Sequence, residues 1–243
     1  MKQFIASIFL CTFLVPASVF ALVPNDTFYD EQWYLDKMQA GVAWETSTGS
    51  DDVVIAVIDS GVDLDHPDLI GNIWQNSTEI AGNGVDDDKN GYIDDLHGWD
   101  FVDEDGDPTP EINSTASADA ISHGTLVAGL IGATGDNAEG VTGVNWNVSV
   151  MSLRILDEQG NGNAITASEA VDYAIANGAD VLNLSFSGMS NDRALGDSIE
   201  QAYEAGIVII SAMGNDGLNT DQSPVYPACY MEGDEDWVIG VAA

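Results

Sequence analysis

Six apolar residues in a row, Val53-Val54-Ile55-Ala56-Val57-Ile58, run straight into Asp59-Ser60-Gly61. A stretch this short, rich in β-branched side chains and without a polar face, reads as a strand covered on both sides. Strands of that kind belong to parallel sheets flanked by helices. Similar short apolar runs recur at Val148 to Leu153, Val181 to Leu184, Ile207 to Ile210 and Trp237 to Val241. Between them, Ile165 to Asn177 spaces Val171, Ala174 and Ile175 at helical period and stops at Gly178, while Arg193 to Ala205 stops at Gly206. The β-α-β-α-β order predicts an α/β fold with a parallel sheet, whose ligand-binding loops lie at the carboxyl ends of the strands.

Two polar residues stand at such ends: Asp59 directly after its strand, and Asn215 in Ser211-Ala212-Met213-Gly214-Asn215-Asp216-Gly217. A third, His123, lies in Ser122-His123-Gly124-Thr125-Leu126-Val127-Ala128-Gly129, a small-residue segment that reads as a helix start. Singly, each has a plain structural explanation: a turn for Asp59 and Asn215, packing for His123. Jointly they supply three of the four parts of a Ser-His-Asp hydrolase. The Asp fixes the imidazole tautomer, the His takes the nucleophile's proton, and an amide N–H receives the oxyanion.

On these motifs the chain resembles the subtilisin-like serine proteases, the subtilases. Val53 to Asp63 with His66-Pro67-Asp68-Leu69 is similar to the family's catalytic-Asp motif, His123-Gly124-Thr125 with Val127-Ala128-Gly129 to its catalytic-His motif, and Gly214-Asn215 to its oxyanion segment. The Asp, His, Ser chain order is also the subtilisin order. The resemblance implies a three-layer fold, a mostly parallel sheet with helices on both faces, incomplete at the carboxyl terminus. It implies a serine endopeptidase in which Asp59 orients His123, His123 is the general base, and Asn215 donates to the oxyanion. It further implies a cleft for an extended polypeptide. Leu153-Arg154-Ile155-Leu156-Asp157 leading to Gly160 and Gly162 resembles one wall, with Leu153, Gly160 and Gly162 as contacts; Ser185, Phe186, Ser187 and Gly188 resemble the other. Main-chain pairing in such a cleft gives broad sequence specificity.

The family's nucleophile lies in a Gly-Thr-Ser-x-Ala type motif after the oxyanion segment, and no Gly-Thr-Ser occurs in these 243 residues. Ser60 and Ser122 each adjoin a motif residue, a poor arrangement for converging on one reacting atom. The chain is therefore expected to be inactive alone, with its triad Ser beyond Ala243. The family resemblance begins by about Pro24-Asn25-Asp26, leaving no room for an inhibitory propeptide between signal and enzyme. The rival reading is a catalytically inactive, subtilase-like calcium-binding secreted module. An esterase is disfavoured because no Gly-x-Ser-x-Gly elbow is present.

Charge limits the partners. Forty-one Asp and Glu oppose five Lys and Arg, giving a formal net charge of −36, which excludes a nucleic-acid binder and fits a demand for cations. Lys2, the apolar run Phe4 to Val15 and the small-residue site Val19-Phe20-Ala21 predict a signal peptide over residues 1–21. The rest, residues 22–243, is read as one domain, secreted to the extracellular space or periplasm, free of the membrane after cleavage, and monomeric. Cys11 and Cys229 cannot make a disulfide framework.

The cations have a candidate place. From Glu79 to Glu111 twelve acidic residues face one Lys89, which predicts an inserted loop without packed helix or strand. Within it, Asp86-Asp87-Asp88-Lys89-Asn90-Gly91-Tyr92-Ile93-Asp94-Asp95 carries oxygen donors at alternate positions around a Gly, as at the opening of an EF-hand. Position twelve is His97 instead of Glu, so the segment is not an EF-hand; it resembles the calcium loop of some subtilases. Asp86, Asp88, Asn90, the Tyr92 carbonyl and either Asp94 or Asp95 are the expected Ca2+ ligands. The resemblance implies a second calcium site shared by Asp68 and Asp26. His66 and His97 lack the further His or Cys pair that zinc requires.

Overall fold

The computed structural model describes residues 21–233 and 235–242. The expected signal peptide over 1–21, apart from Ala21, lies outside the described residues, as does Cys11. Among the described residues no helix is long and apolar enough to cross a membrane.

Among the described residues, eight strands and five α-helices follow in order: α1 (Trp33–Met38), α2 (Ala40–Trp44), β1 (Gly49–Asp59), β2 (Gly98–Asp100), α3 (Ala118–Gly132), β3 (Asn147–Arg154), α4 (Ala164–Ala176), β4 (Val181–Leu184), α5 (Arg193–Glu204), β5 (Val208–Ala212), β6 (Met231–Glu232), β7 (Glu235–Asp236) and β8 (Ile239–Val241). Six strands form one sheet in the order β2-β3-β1-β4-β5-β8, every pair parallel, while β6 and β7 make a separate antiparallel pair. The strand carrying the longest apolar run lies inside the sheet, where both of its faces need cover.

Alternation along β1 divides that cover. Ile55 and Val57 join Val148, Val150 and Ala128 beneath α3. Ala56 and Ile58 join Met151, Leu153, Val171, Leu182 and Ile199 beneath α4 and α5. Val57 and Ile58 are fully buried, each worth about 1.5–3 kcal/mol relative to exposure. The resulting helix-sheet-helix layering is the α/β subtilisin-like arrangement expected. The helix stops hold too: α4 and α5 are followed by Gly178 and Gly206, with φ of +75° and +83°. Their starts are capped by Asn163 and Asp192, whose side chains accept hydrogen bonds from first-turn amides.

Two expectations need correction. The acidic segment is not free of packed structure, because β2 lies within it and pairs with β3 through Gly98, Trp99 and Asp100. The charges around His97-Gly98-Trp99-Asp100-Phe101 conceal two aromatic rings that enter the core. His123 does not open its helix either; α3 begins at Ala118, capped by the Ser117 side chain, and His123 sits in its second turn.

Candidate active site

Four strand ends and one helix face build the site. The β1 strand delivers Asp59 to the carboxyl end of the sheet, where it is completely buried. Its Oδ1 accepts from the Ser60 amide at 2.7 Å, and Oδ1 and Oδ2 stand 2.8 and 2.9 Å from Nδ1 of His123. The imidazole comes from α3, which can lie this close because its next residue is Gly124. A Cβ there would press on the Gly61 carbonyl and come within 3.2 Å of the Asp59 side chain. The Gly124 amide also donates to Ser60 Oγ at 3.1 Å, fastening helix to strand end.

One side of the imidazole is thus held by a buried carboxylate while the side chain remains 46% exposed. The hydrogen bond to Asp59 raises the His123 pKa above its ordinary value, burial opposes it, and the Asp59 charge adds to the rise. The bond to Nδ1 leaves Nε2 as the second ring nitrogen for proton transfer.

His123 lines a cleft of about 680 Å³. Gly160 and Gly162 line one wall with Ile155 and Leu156, and Ser185, Phe186, Ser187 and Gly188 line the other. Asn215 reaches the same cleft from beyond β5 through Gly214, whose φ is +81°. Asp59, His123 and Asn215 therefore meet at one end of the sheet. Leu153 does not join them: alternation along β3 turns it into the core, fully buried, and the cleft contacts fall to the residues just after the strand.

The acidic loop gathers carboxylates of its own. Oxygens of Glu79, Asp86 and Asp88 all lie within 4.8 Å of one another. Glu79 is buried; its Oε1 accepts from the amides of Asp87 and Asp88 at 2.8 and 3.1 Å, while Oε2 is buried without a partner. A buried carboxylate oxygen lacking a donor, beside two more carboxylates, fits a hard cation. Burial pushes the Asp88 carboxyl up, but hydrogen bonds from Asn76, Asn90 and Thr78 outweigh it and leave it below its ordinary value. Asn90 stands at this cluster, its amide 3.0 Å from Asp88 Oδ1, and Tyr92 follows with its amide on Asn90 Oδ1 at 2.8 Å.

Of the two remaining candidates, Asp95 adjoins the cluster, sharing the side-chain amides of Asn76 and Asn90 with Asp88, while Asp94 faces a neighbouring turn. Asp94 accepts from the amides of Asn83 and Gly84 at 3.1 and 2.9 Å. Asp95 is wholly buried and accepts from Asn76, Asn90 and the Tyr173 hydroxyl at 3.1, 2.8 and 2.6 Å. Glu79, which the sequence pattern did not single out, joins Asp86 and Asp88 in the cluster. Its signal was the start of the acidic run, eight and nine residues ahead of the paired amides.

Asp26 and Asp68 are both buried and share a second cluster. Asp68 accepts from Asn137 Nδ2 at 2.7 Å and the Val141 amide at 2.9 Å; Asp26 Oδ2 accepts from the Asp136 amide at 2.8 Å, and its Oδ1 is buried without a partner. Burial raises the Asp26 pKa, with the Asp68 charge adding to the rise. A cation here would complete the unpartnered Asp26 Oδ1. His97 Nδ1 lies 2.8 Å from the Trp74 carbonyl and His66 Nδ1 accepts from the Asp68 amide at 3.2 Å, so hydrogen bonding accounts for both rings.

A family model described as the subtilase family matches residues 50–243. The chain belongs to the subtilases. Halolysin from Haloferax mediterranei is 37% identical over 208 residues, which are 86% of this chain and 34% of that protein. Thermitase from Thermoactinomyces vulgaris is 33% identical over 208 residues, 85% of this subtilase and 62% of thermitase. Among solved structures, a protease from Pseudoalteromonas arctica matches with a TM-score of 0.66 and 28% identity, over 84% of this chain and 62% of that one. This subtilase thus spans only 34% and 62% of the length of these two curated relatives.

Proposed function

We propose that this subtilase is the base-bearing part of an exported, calcium-stabilised serine endopeptidase that cleaves extended polypeptides. In this reading residues 1–21 direct secretion, residues 22–243 form the amino-terminal part of a monomeric catalytic domain, and the loop over Glu79 to Glu111 holds an ion. The observation that carries the reading is the bond from buried Asp59 to His123 beside an open cleft.

Each side chain has a distinct task. Asp59 keeps the proton on Nδ1 and stabilises the imidazolium that forms. Nε2 of His123 takes the proton of the attacking hydroxyl and passes it to the departing amine. Asn215, lying on the same cleft, donates to the oxyanion of the tetrahedral intermediate. The hydroxyl belongs to a serine of the family motif that residues 1–243 do not contain. Glu79, Asp86, Asp88 and Asn90 would hold one Ca2+, and Asp26 with Asp68 a second. Bound calcium would supply positive charge to buried carboxylates and so structural stability, not chemistry at the scissile bond.

The test uses the full-length protein carrying the serine motif. It should cut an unstructured polypeptide, and a serine-directed phosphonate should stop it. Calcium binding without cleavage would instead mark an inactive calcium-binding module.

A further inference from the structure

Three neighbouring strands end in charged residues at one level. Asp100 of β2 pairs in register with Arg154 of β3, and Arg154 with Asp59 of β1. All three side chains lie on the α3 face of the sheet. On β1, Ile55 and Val57 precede Asp59 on that face, and on β3, Val148 and Val150 precede Arg154. A buried guanidinium therefore sits one strand from the carboxylate that holds His123. It is not bonded to that carboxylate. Arg154 Nη1 donates to Asp100 Oδ2 and, at 2.5 Å, to Asp103 Oδ2. Its Nε is buried and has no partner, so the side chain keeps donor capacity for another acceptor. Asp100 is itself fixed, its Oδ1 accepting from the amides of Val102 and Asp103 at 2.7 and 3.1 Å.

We propose that Asp100 and Asp103 are positioning residues that hold Arg154 away from Asp59, reserving the Asp59 carboxylate for His123. The inference rests on the reading of Asp59 and His123 as orienter and base. A guanidinium matches a carboxylate bidentately and would compete with the single imidazole N–H for Asp59. Two acidic partners on the far side of Arg154 remove that competition. An arginine kept in place by two carboxylates can brace the sheet edge without neutralising the anion next door.

Imidazole titration followed by NMR tests this without requiring catalysis, since His123 is one of only three histidines. The charged group bonded to it is Asp59, and Asp119, one turn earlier on α3, lines the same cleft. In the double variant Asp100→Asn, Asp103→Asn, Arg154 is expected to turn to Asp59 and the His123 pKa to fall by about 1 unit. Adding Arg154→Met to that background should restore it, and in the full-length protein turnover should follow the same fall and recovery with KM little changed. An unaltered pKa in the double variant, or a fall that survives Arg154→Met, overturns the proposal. Should the double variant not fold, the single change Asp103→Asn, at a half-exposed residue, should shift the pKa the same way by a few tenths. No shift there also overturns it. Absence of proteolysis in the full-length protein with the titration behaving as stated would count against the enzyme reading alone.

Discussion

Asp59 and Glu79 are both buried carboxylates, and the regions around them satisfy them in opposite ways. At the sheet's end both oxygens of Asp59 meet protein donors, the imidazole and the Ser60 amide. In the acidic loop Glu79 keeps one oxygen buried and unpartnered beside Asp86 and Asp88. The strand end is complete with protein groups alone, because regular elements bring its partners together. Around Glu79 the loop has no repeating hydrogen-bond pattern to do so and is closed by side chains on backbone amides, leaving a cluster of negative charge that a cation would complete. In the proposed reading, function and stability rest on these two different kinds of construction.

That contrast can be broken at either side, all activity measurements being made on the full-length protein. Replacing His123 by Ala should lower kcat by about 10⁴-fold or more with little change in melting temperature, because the ring is half-exposed and its loss removes the base. A drop in kcat of under tenfold would show that the strand end is not the chemical centre. Asn215→Ala should cost roughly 10²–10³-fold in kcat at similar KM. Equal changes in KM would make Asn215 a substrate contact instead.

On the loop side, chelation should lower the melting temperature by about 10 °C. An ion at a thousand times its Kd contributes about 4 kcal/mol, and a domain this size shifts about 2–4 °C per kcal/mol. Glu79→Gln should weaken calcium binding by calorimetry, whereas Asp94→Asn should leave it nearly unchanged; the reverse order would return Asp94 to the ligand set. The smallest effect is expected at Tyr173→Phe, which removes one of three donors to buried Asp95. It should cost about 1–2 kcal/mol in thermal melts without altering kcat.

How much of this could be read in advance follows the same division. The apolar runs announced β1, β3, β4, β5 and β8; burial on both faces demands such a run in β1 and β3, whereas β8 is an exposed edge strand that is apolar without that need. β2 was hidden, since only Trp99 and Phe101 among acidic neighbours betray it. The Asp59 motif and the His123 motif are far apart in sequence, and nothing but the fold could set them 2.8 Å apart. Leu153 was misassigned to the cleft because a motif match names a segment, whereas period-two alternation decides which of its side chains point out. Glu79 was missed for the opposite reason: it joins the cluster by the chain folding back, outside the alternating run of oxygen donors. The Asp100, Arg154 and Asp59 ladder needed strand register, which spacing alone does not give.

The most direct measurement is the pH dependence of peptide hydrolysis by the full-length protein and its Asp59→Asn variant. The base must be neutral, so kcat/KM falls as pH drops through the His123 pKa, which Asp59 holds above the ordinary 6.5. The variant should show a plateau lower by about 10⁴-fold, with its acid limb moved to lower pH by about 1 unit. A plateau near that of the parent with the limb unmoved would contradict the account.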